Sequence, residues 1–228
     1  EINKNIVADV TFSDLDISLF RNFPDLSAGI EGLIITGRDE FKKDTLLSAK
    51  KIDIALNLFS VISGKNKIDA IILDKPRIHA IINKEGIANW DITVPNTLST
   101  PEASPANFSM ELSRYEIKDG YISYTDIPGN MVAEFINLDH TGKGNFNQDQ
   151  FFFSIKTNAD YINFEYERIP WLVRTKAVLD ADFQIDNKTN TYTFKTGDIK
   201  LNELLLASEG FFQLANDSTY KMDIRFSA

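Results

Sequence analysis

The feature that most constrains this chain is a period of two. From Val173 to Asp186, the residues Val173, Thr175, Ala177, Leu179, Ala181, Phe183 and Ile185 share one parity. Arg174, Lys176, Asp180, Asp182, Gln184 and Asp186 share the other, with Val178 the exception. Successive strand residues point to opposite faces, so this alternation predicts a strand with one apolar face and one wet face. At ~3.3 Å per residue it would run about 45 Å, well beyond an ordinary strand.

The pattern recurs along the chain. Ile52, Ile54, Leu56 and Leu58 alternate with polar or small residues, as do Phe108, Met110 and Leu112, and Phe151, Phe153 and Ile155. Leu204, Leu206, Phe212 and Leu214 share one parity, and so do Tyr220, Met222, Ile224 and Phe226. Turn signals separate the runs: Lys84-Glu85-Gly86, Lys118-Asp119-Gly120, Ile127-Pro128-Gly129-Asn130 and Asp186-Asn187-Lys188-Thr189-Asn190. Strands with one buried face and short connections predict antiparallel pairing. Helix is scarce. Leu15, Leu19 and Phe23 allow two helical turns over Asp14–Phe23, Phe59–Ser63 allows another, and Asp39–Ala49 is a third candidate.

The fold expected is therefore mainly β: long antiparallel strands in a curved, gutter-like or half-barrel sheet, with a few short helices. The stretch Thr93–Asn107 holds Pro95, Pro101 and Pro105 and little that is large and apolar. It divides the chain into a strand group over 1–92, a linker or long loop over 93–107, and a second strand group over 108–228. The second group either stands apart or continues the first sheet.

Composition narrows the function. The net charge is −9, and no basic stripe exists to neutralise phosphates, which argues against nucleic acid as a partner. There is no cysteine, so disulfides, thiol catalysis and Cys-ligated zinc are excluded. No apolar run is long enough to span a bilayer. Seventeen Phe require a core or an apolar ligand to cover them.

Catalytic patterns are weak. His79 and His140 lie in expected strands without carboxylate neighbours at metal-site spacing, so neither a metal nor another cofactor is expected. Asp180 and Asp182 share a strand face and resemble an acid/base pair only superficially, because Gln184 and Asp186 continue the same solvated row. Ser63-Gly64-Lys65-Asn66 and Gly142-Lys143-Gly144 both fail the phosphate-loop pattern. Asn107-Phe108-Ser109 and Asn216-Asp217-Ser218 match only the short glycosylation pattern. Trp90 and Trp171 read as residues capping a core. A protein without enzymatic activity is expected.

Two stretches carry more specific information. Lys51–Asp91 runs through a strand, a short apolar turn ending in Gly64, a strand with Ile71-x-Leu73-x-x-Pro76, and a strand closing on Asn83-x-x-Gly86-x-x-Asn89-Trp90. Upstream, Phe23-Pro24-Asp25-Leu26 leads into a long strand. Downstream stands Ile117-x-x-Gly120-x-Ile122-x-Tyr124-x-Asp126. This order resembles the AsmA family of bacterial envelope proteins, which is similar in architecture to bridge-type lipid-transfer proteins.

The resemblance implies a periplasmic body tethered to the inner membrane by an N-terminal helix. That helix is absent from this sequence, and a start at Glu1 reads as a trimmed or processed chain. It implies outer-membrane biogenesis, with phospholipid or another acyl lipid as ligand and envelope proteins as partners. It brings no catalytic residues. Combined with strand parity, it nominates Val173, Leu179, Phe183, Ile185, Leu204, Leu206, Phe212, Met222 and Ile224 as lipid-facing. A closed core, a second sheet or a lipid could each cover such a face. The other function considered is a structural or regulatory scaffold that binds envelope partners without carrying lipid.

Overall fold

A computed structural model describes residues 6–22, 25–57, 60, 68–92, 112–146, 148–216 and 219–228. Among the described residues thirteen strands form one sheet. They are β1 (Ala8–Thr11), β2 (Asp14–Asn22), β3 (Asp25–Gly37), β4 (Thr45–Leu56), β5 (Ile68–Asp74), β6 (Arg77–Ile82), β7 (Arg114–Asp126), β8 (Met131–Gly144), β9 (Gln150–Tyr166), β10 (Ile169–Asp186), β11 (Thr191–Leu201), β12 (Leu204–Asn216) and β13 (Thr219–Ser227). Among the described residues no helix is long and apolar enough to cross a membrane.

The sheet is mixed rather than wholly antiparallel. β5 and β6 both run parallel to β7, which joins the strands before the Pro-rich stretch to those after it in one sheet. From β7 to β13 each strand pairs with the next in antiparallel hairpin order. Two of the expected turns close hairpins here. Asp126 Oδ1 accepts from the Gly129 amide at 2.8 Å in the β7–β8 turn, and Asp186 Oδ1 accepts from the Lys188 amide at 2.9 Å in the β10–β11 turn.

Several expectations are corrected. Asp14–Asn22 is strand β2, not helix: Leu15 and Ile17 pair with Ile30 and Ala28 of β3. Local helical spacing loses there to the edge of a neighbouring strand. The Asp39–Ala49 candidate reduces to a single 3-10 turn, Asp39–Phe41, before β4 begins at Thr45. Lys118-Asp119-Gly120 is not a hairpin turn but a bulge inside β7. The Phe59–Ser63 turn (apart from Ser60), the 93–107 linker and Phe108–Met110 lie outside the described residues.

A transverse line of irregularities crosses this sheet. Gly32 of β3 has φ +60°, and Lys75, between β5 and β6, has φ 50°. Asp119 of β7, Asn137 of β8 and Arg174 of β10 have φ 49°, 50° and 47°. In β9, register places both Asp160 and Tyr161 in the interval between Ala159 and Ile162. Each is a bulge in which one extra residue leaves the ladder, bending the strand and sharpening its twist. They line up because they bond to one another's strands. Lys75 Nζ lies 3.1 Å from Asp119, the Asp119 amide donates to Asp139 Oδ1 at 3.0 Å, and Asn137 Nδ2 donates to Asp160 at 3.0 Å. The Arg174 amide donates to Asn163 Oδ1 at 2.8 Å. At Gly32 a side chain is sterically barred, since a Cβ would stand 2.6 Å from Ser13 Oγ. The line forms a crease in a curved sheet. β1 and β2 lie on either side of it against β3, as do β5 and β6 against β7.

Candidate functional site: the uncharged face of the sheet

Cross-strand partners share a face, so register assigns every ladder position to a side. One side carries Ile155, Ala181 and Thr196 in one row. It carries Phe153, Phe183 and Phe194 in the next, and Ile185, Tyr192, Phe212 and Met222 in the one after. Across the N-terminal strands the same side holds Ile30, Ile52, Leu73 and Ile117. Among the described ladder positions this side bears no Lys, Arg or Glu, and its one Asp is Asp126 at the tip of β7.

The crease keeps that face continuous by reversing strand phase. In β7 the uncharged residues are Tyr115 and Ile117 before the bulge, then Gly120, Ile122 and Tyr124 after it. In β9 they are Ile155, Thr157 and Ala159, then Ile162 and Phe164. An unbroken period of two would have sent half of each strand's apolar residues to the wrong side.

Register brings together eight of the nine nominated residues on this face. Leu179, Phe183 and Ile185 come from β10, Leu204, Leu206 and Phe212 from β12, and Met222 and Ile224 from β13. Val173 is not among them. It lies in the β10 bulge, between Leu172 and Thr175, which pair with Phe164 and Ile162. It is 63% exposed. Simple parity from Thr175 misplaces it because Arg174 is left-handed.

The surface extends beyond the nominated residues. The rings of Tyr115, Phe153, Phe183 and Phe194 form a transverse ridge, with successive centroids 6.3, 5.9 and 6.3 Å apart. Phe146 packs edge-on against Phe153 at 5.2 Å. Behind the ridge is a low floor of Ala159, Ala177 and Ala181, all buried by their taller neighbours. The ridge needs glycine beneath it: a Cβ on Gly142 would lie 2.3 Å from Tyr115 Cε1. Where the β11–β12 ladder shifts, Thr196 Oγ1 repairs it, donating to the Ser208 carbonyl at 3.0 Å and accepting from the Ser208 amide.

A cluster of polar side chains lies on the face. His140 Nε2 is 2.9 Å from Tyr115 Oη, and His140 Nδ1 is 2.8 Å from Thr157 Oγ1. Burial lowers the His140 pKa and raises that of Tyr115, so both groups are held neutral.

The opposite side carries the charge. Lys51 Nζ lies 3.2 Å from Asp53 and 3.7 Å from Asp16. Asp180 meets Lys156 at 3.1 Å, and Asp182 accepts from Ser154 Oγ. Also on this side Glu134 accepts from Asn163 and Tyr121, and these bonds lower its pKa, while His79 Nδ1 contacts Ser123 Oγ at 2.9 Å. Arg174 stacks over Tyr161 at 4.1 Å. Among the described residues no three His, Asp or Glu side chains group as a metal site.

The Asn83–Trp90 stretch is a structural clasp in which the asparagines matter most. Asn83 Oδ1 accepts from the Glu85 and Ile87 amides at 3.0 and 2.8 Å. Asn89 is 3% exposed; its Nδ2 donates to the His79 carbonyl at 2.7 Å and its Oδ1 accepts from the Ile81 amide at 2.9 Å. Asn89 thus acts as a piece of extra strand against β6. Trp90 and Trp171 are not buried caps; they are 44% and 62% exposed, with Trp90 leaning on the Tyr124 ring.

No curated protein matches this chain at a significant level. The model of the AsmA family matches residues 2–211, which take in the clasp, the crease and most of the uncharged face. The chain belongs to the AsmA family.

Proposed function

We propose that this protein binds acyl lipid, phospholipid foremost, and guides it along the uncharged face without catalysing a reaction. The observation that carries the reading is the continuity of that face. Uncharged side chains run from Leu15 and Ile17 on β2 to Tyr220, Met222 and Phe226 on β13, and these terminal residues are exposed. Among the described residues all strands belong to one sheet, and no second sheet covers this side. An apolar face left exposed at its ends suits a ligand or partner. Acyl chains suit it because they need no polar partner and gain ~25 cal/mol per Å² removed from water.

Family membership supports the setting: the bacterial envelope, outer-membrane biogenesis, and a periplasmic body held at the inner membrane by an anchor outside this sequence. Envelope proteins would then deliver or receive the lipid. A scaffold that binds protein partners through the exposed edge of β13 is the competing reading, favoured by that edge alone.

Photocrosslinking amino acids at Leu179, Phe183, Leu206 and Met222 should capture phospholipid in cells. The same probe at Lys195, Glu209 and Arg225, on the charged face, should not. Equal capture from both faces, or none from the uncharged one, would refute the lipid reading.

A further inference from the structure

Resting on that reading, we propose that Tyr115, His140 and Thr157 form a binding site for the ester linkage of a glycerolipid. The cluster sits on an otherwise apolar surface. His140 faces Ile117 on β7 and Thr157 on β9, and Thr157 faces Leu179 on β10. Tyr115 reaches His140 diagonally, over Gly142. No charged side chain occupies this face on β7, β8, β9 or β10 within the neighbouring rows.

Proton counting sets what the cluster offers. The Tyr115 hydroxyl, a neutral His140 ring and the Thr157 hydroxyl hold one proton each. The two internal hydrogen bonds use two of the three. If Tyr115 donates to Nε2, then Nδ1–H donates to Thr157 and the Thr157 hydroxyl donates outward. If Thr157 donates to Nδ1, then Nε2–H donates to Tyr115 and the Tyr115 hydroxyl donates outward. Either tautomer presents one outward donor, at one end or the other, and carries no charge. A phosphate or carboxylate needs a cation or several donors. An ester carbonyl needs one donor and tolerates a dry, uncharged wall.

The surroundings match the same part of a lipid. The aromatic ridge of Phe146, Phe153 and Phe183 stands on one side of the cluster, and the floor of Ala159 and Ala177 on the other. Two acyl chains leaving one glycerol could take these two surfaces, with the esters over the cluster.

The test compares short-chain phosphatidylcholine carrying two ester bonds with its ether analogue of equal chain length. Binding of each to the purified chain is measured by titration calorimetry. The wild type should bind the diester more tightly by about threefold to tenfold, the worth of one neutral hydrogen bond. The triple variant Tyr115→Phe, His140→Phe and Thr157→Val removes every donor of the cluster, since the His140 N–H would itself turn outward once both hydroxyls were gone. It should bind both lipids with the affinity the wild type shows for the ether. Each single variant, still able to donate from its remaining end, should keep part of the preference and serves as a check on folding. Equal binding of ester and ether by the wild type overturns the site while leaving the lipid-binding face intact. An ester preference that survives in the triple variant does the same. Binding of neither lipid overturns the face as a lipid site and this cluster with it.

Discussion

The strands before the Pro-rich stretch and those after it use the same face differently. In the first group Leu33, Ala49 and Ile52 are buried, with Val10, Ile30, Ile35, Leu47, Ile54, Ile71 and Leu73 packed around them. Aliphatic side chains there cover one another, and the Asn83–Trp90 clasp pins β6 by hydrogen bonds to its backbone. In the second group the buried positions apart from Leu138 are small, Ala159, Ala177, Ala181, Thr175, Thr196 and Ser208, while Tyr220, Met222 and Phe226 of β13 stand exposed. The contrast teaches that one ladder can be apolar on one side for two reasons. The first group spends its apolar surface on cohesion. The second keeps much of it available.

Four experiments can break or sharpen that division. Leu33→Ala should cost about 3 kcal/mol in urea unfolding, because it opens a cavity among tightly packed aliphatics. A loss below about 1 kcal/mol would mean that the first group is no core. Asn89→Ala should cost about 2 kcal/mol, since it strands the Ile81 amide and the His79 carbonyl at a buried position. An unchanged unfolding midpoint would remove the clasp from the account.

A smaller effect concerns pH. Burial lowers the His140 pKa from its ordinary 6.5, so the unfolded chain takes up a proton first as pH falls. The stabilising contribution is complete above pH 6.5 and is lost as pH drops from there through the folded value. Urea midpoints of the wild type and His140→Gln should therefore converge as the solution is acidified below neutrality. A gap that widens with acid would contradict the sign. Last, Met222→Ser and Phe226→Ser should each change stability by less than about 0.5 kcal/mol, because these side chains are 60% and 73% exposed. A penalty like that of Leu33→Ala would make β13 part of a core and erase the contrast.

Strand content, antiparallel pairing after β7 and most of the uncharged face were legible in sequence because they follow from local alternation. β12 is the clearest case: Leu204, Leu206, Phe212 and Leu214 keep one phase throughout, and register confirms their shared side. What alternation could not reveal is where a strand changes phase. Val173 was misplaced by one left-handed residue, and Lys118-Asp119-Gly120 carries turn chemistry that serves a bulge instead. The parallel pairing of β5 and β6 with β7 was invisible, since it depends on a long connection rather than on any local pattern. The Tyr115–His140–Thr157 cluster was equally hidden. Its members lie on three strands, and each looks like an ordinary polar strand residue when read alone.

The crease also acts like a frameshift written into the protein's pattern. Each strand that crosses it encodes the same surface in two frames, and the extra residue at the bulge is the shift between them. One strand cannot alter its frame alone, because Asp119, Asn137, Asp160 and Asn163 are tied to neighbours across the line. Such a sheet is therefore inherited as a set. A hairpin added by duplication fits across the line only if it copies the shift, whereas one added beside β11–β13, which lie wholly to one side, is free of it. The second edge is thus the place where this architecture can lengthen at least cost.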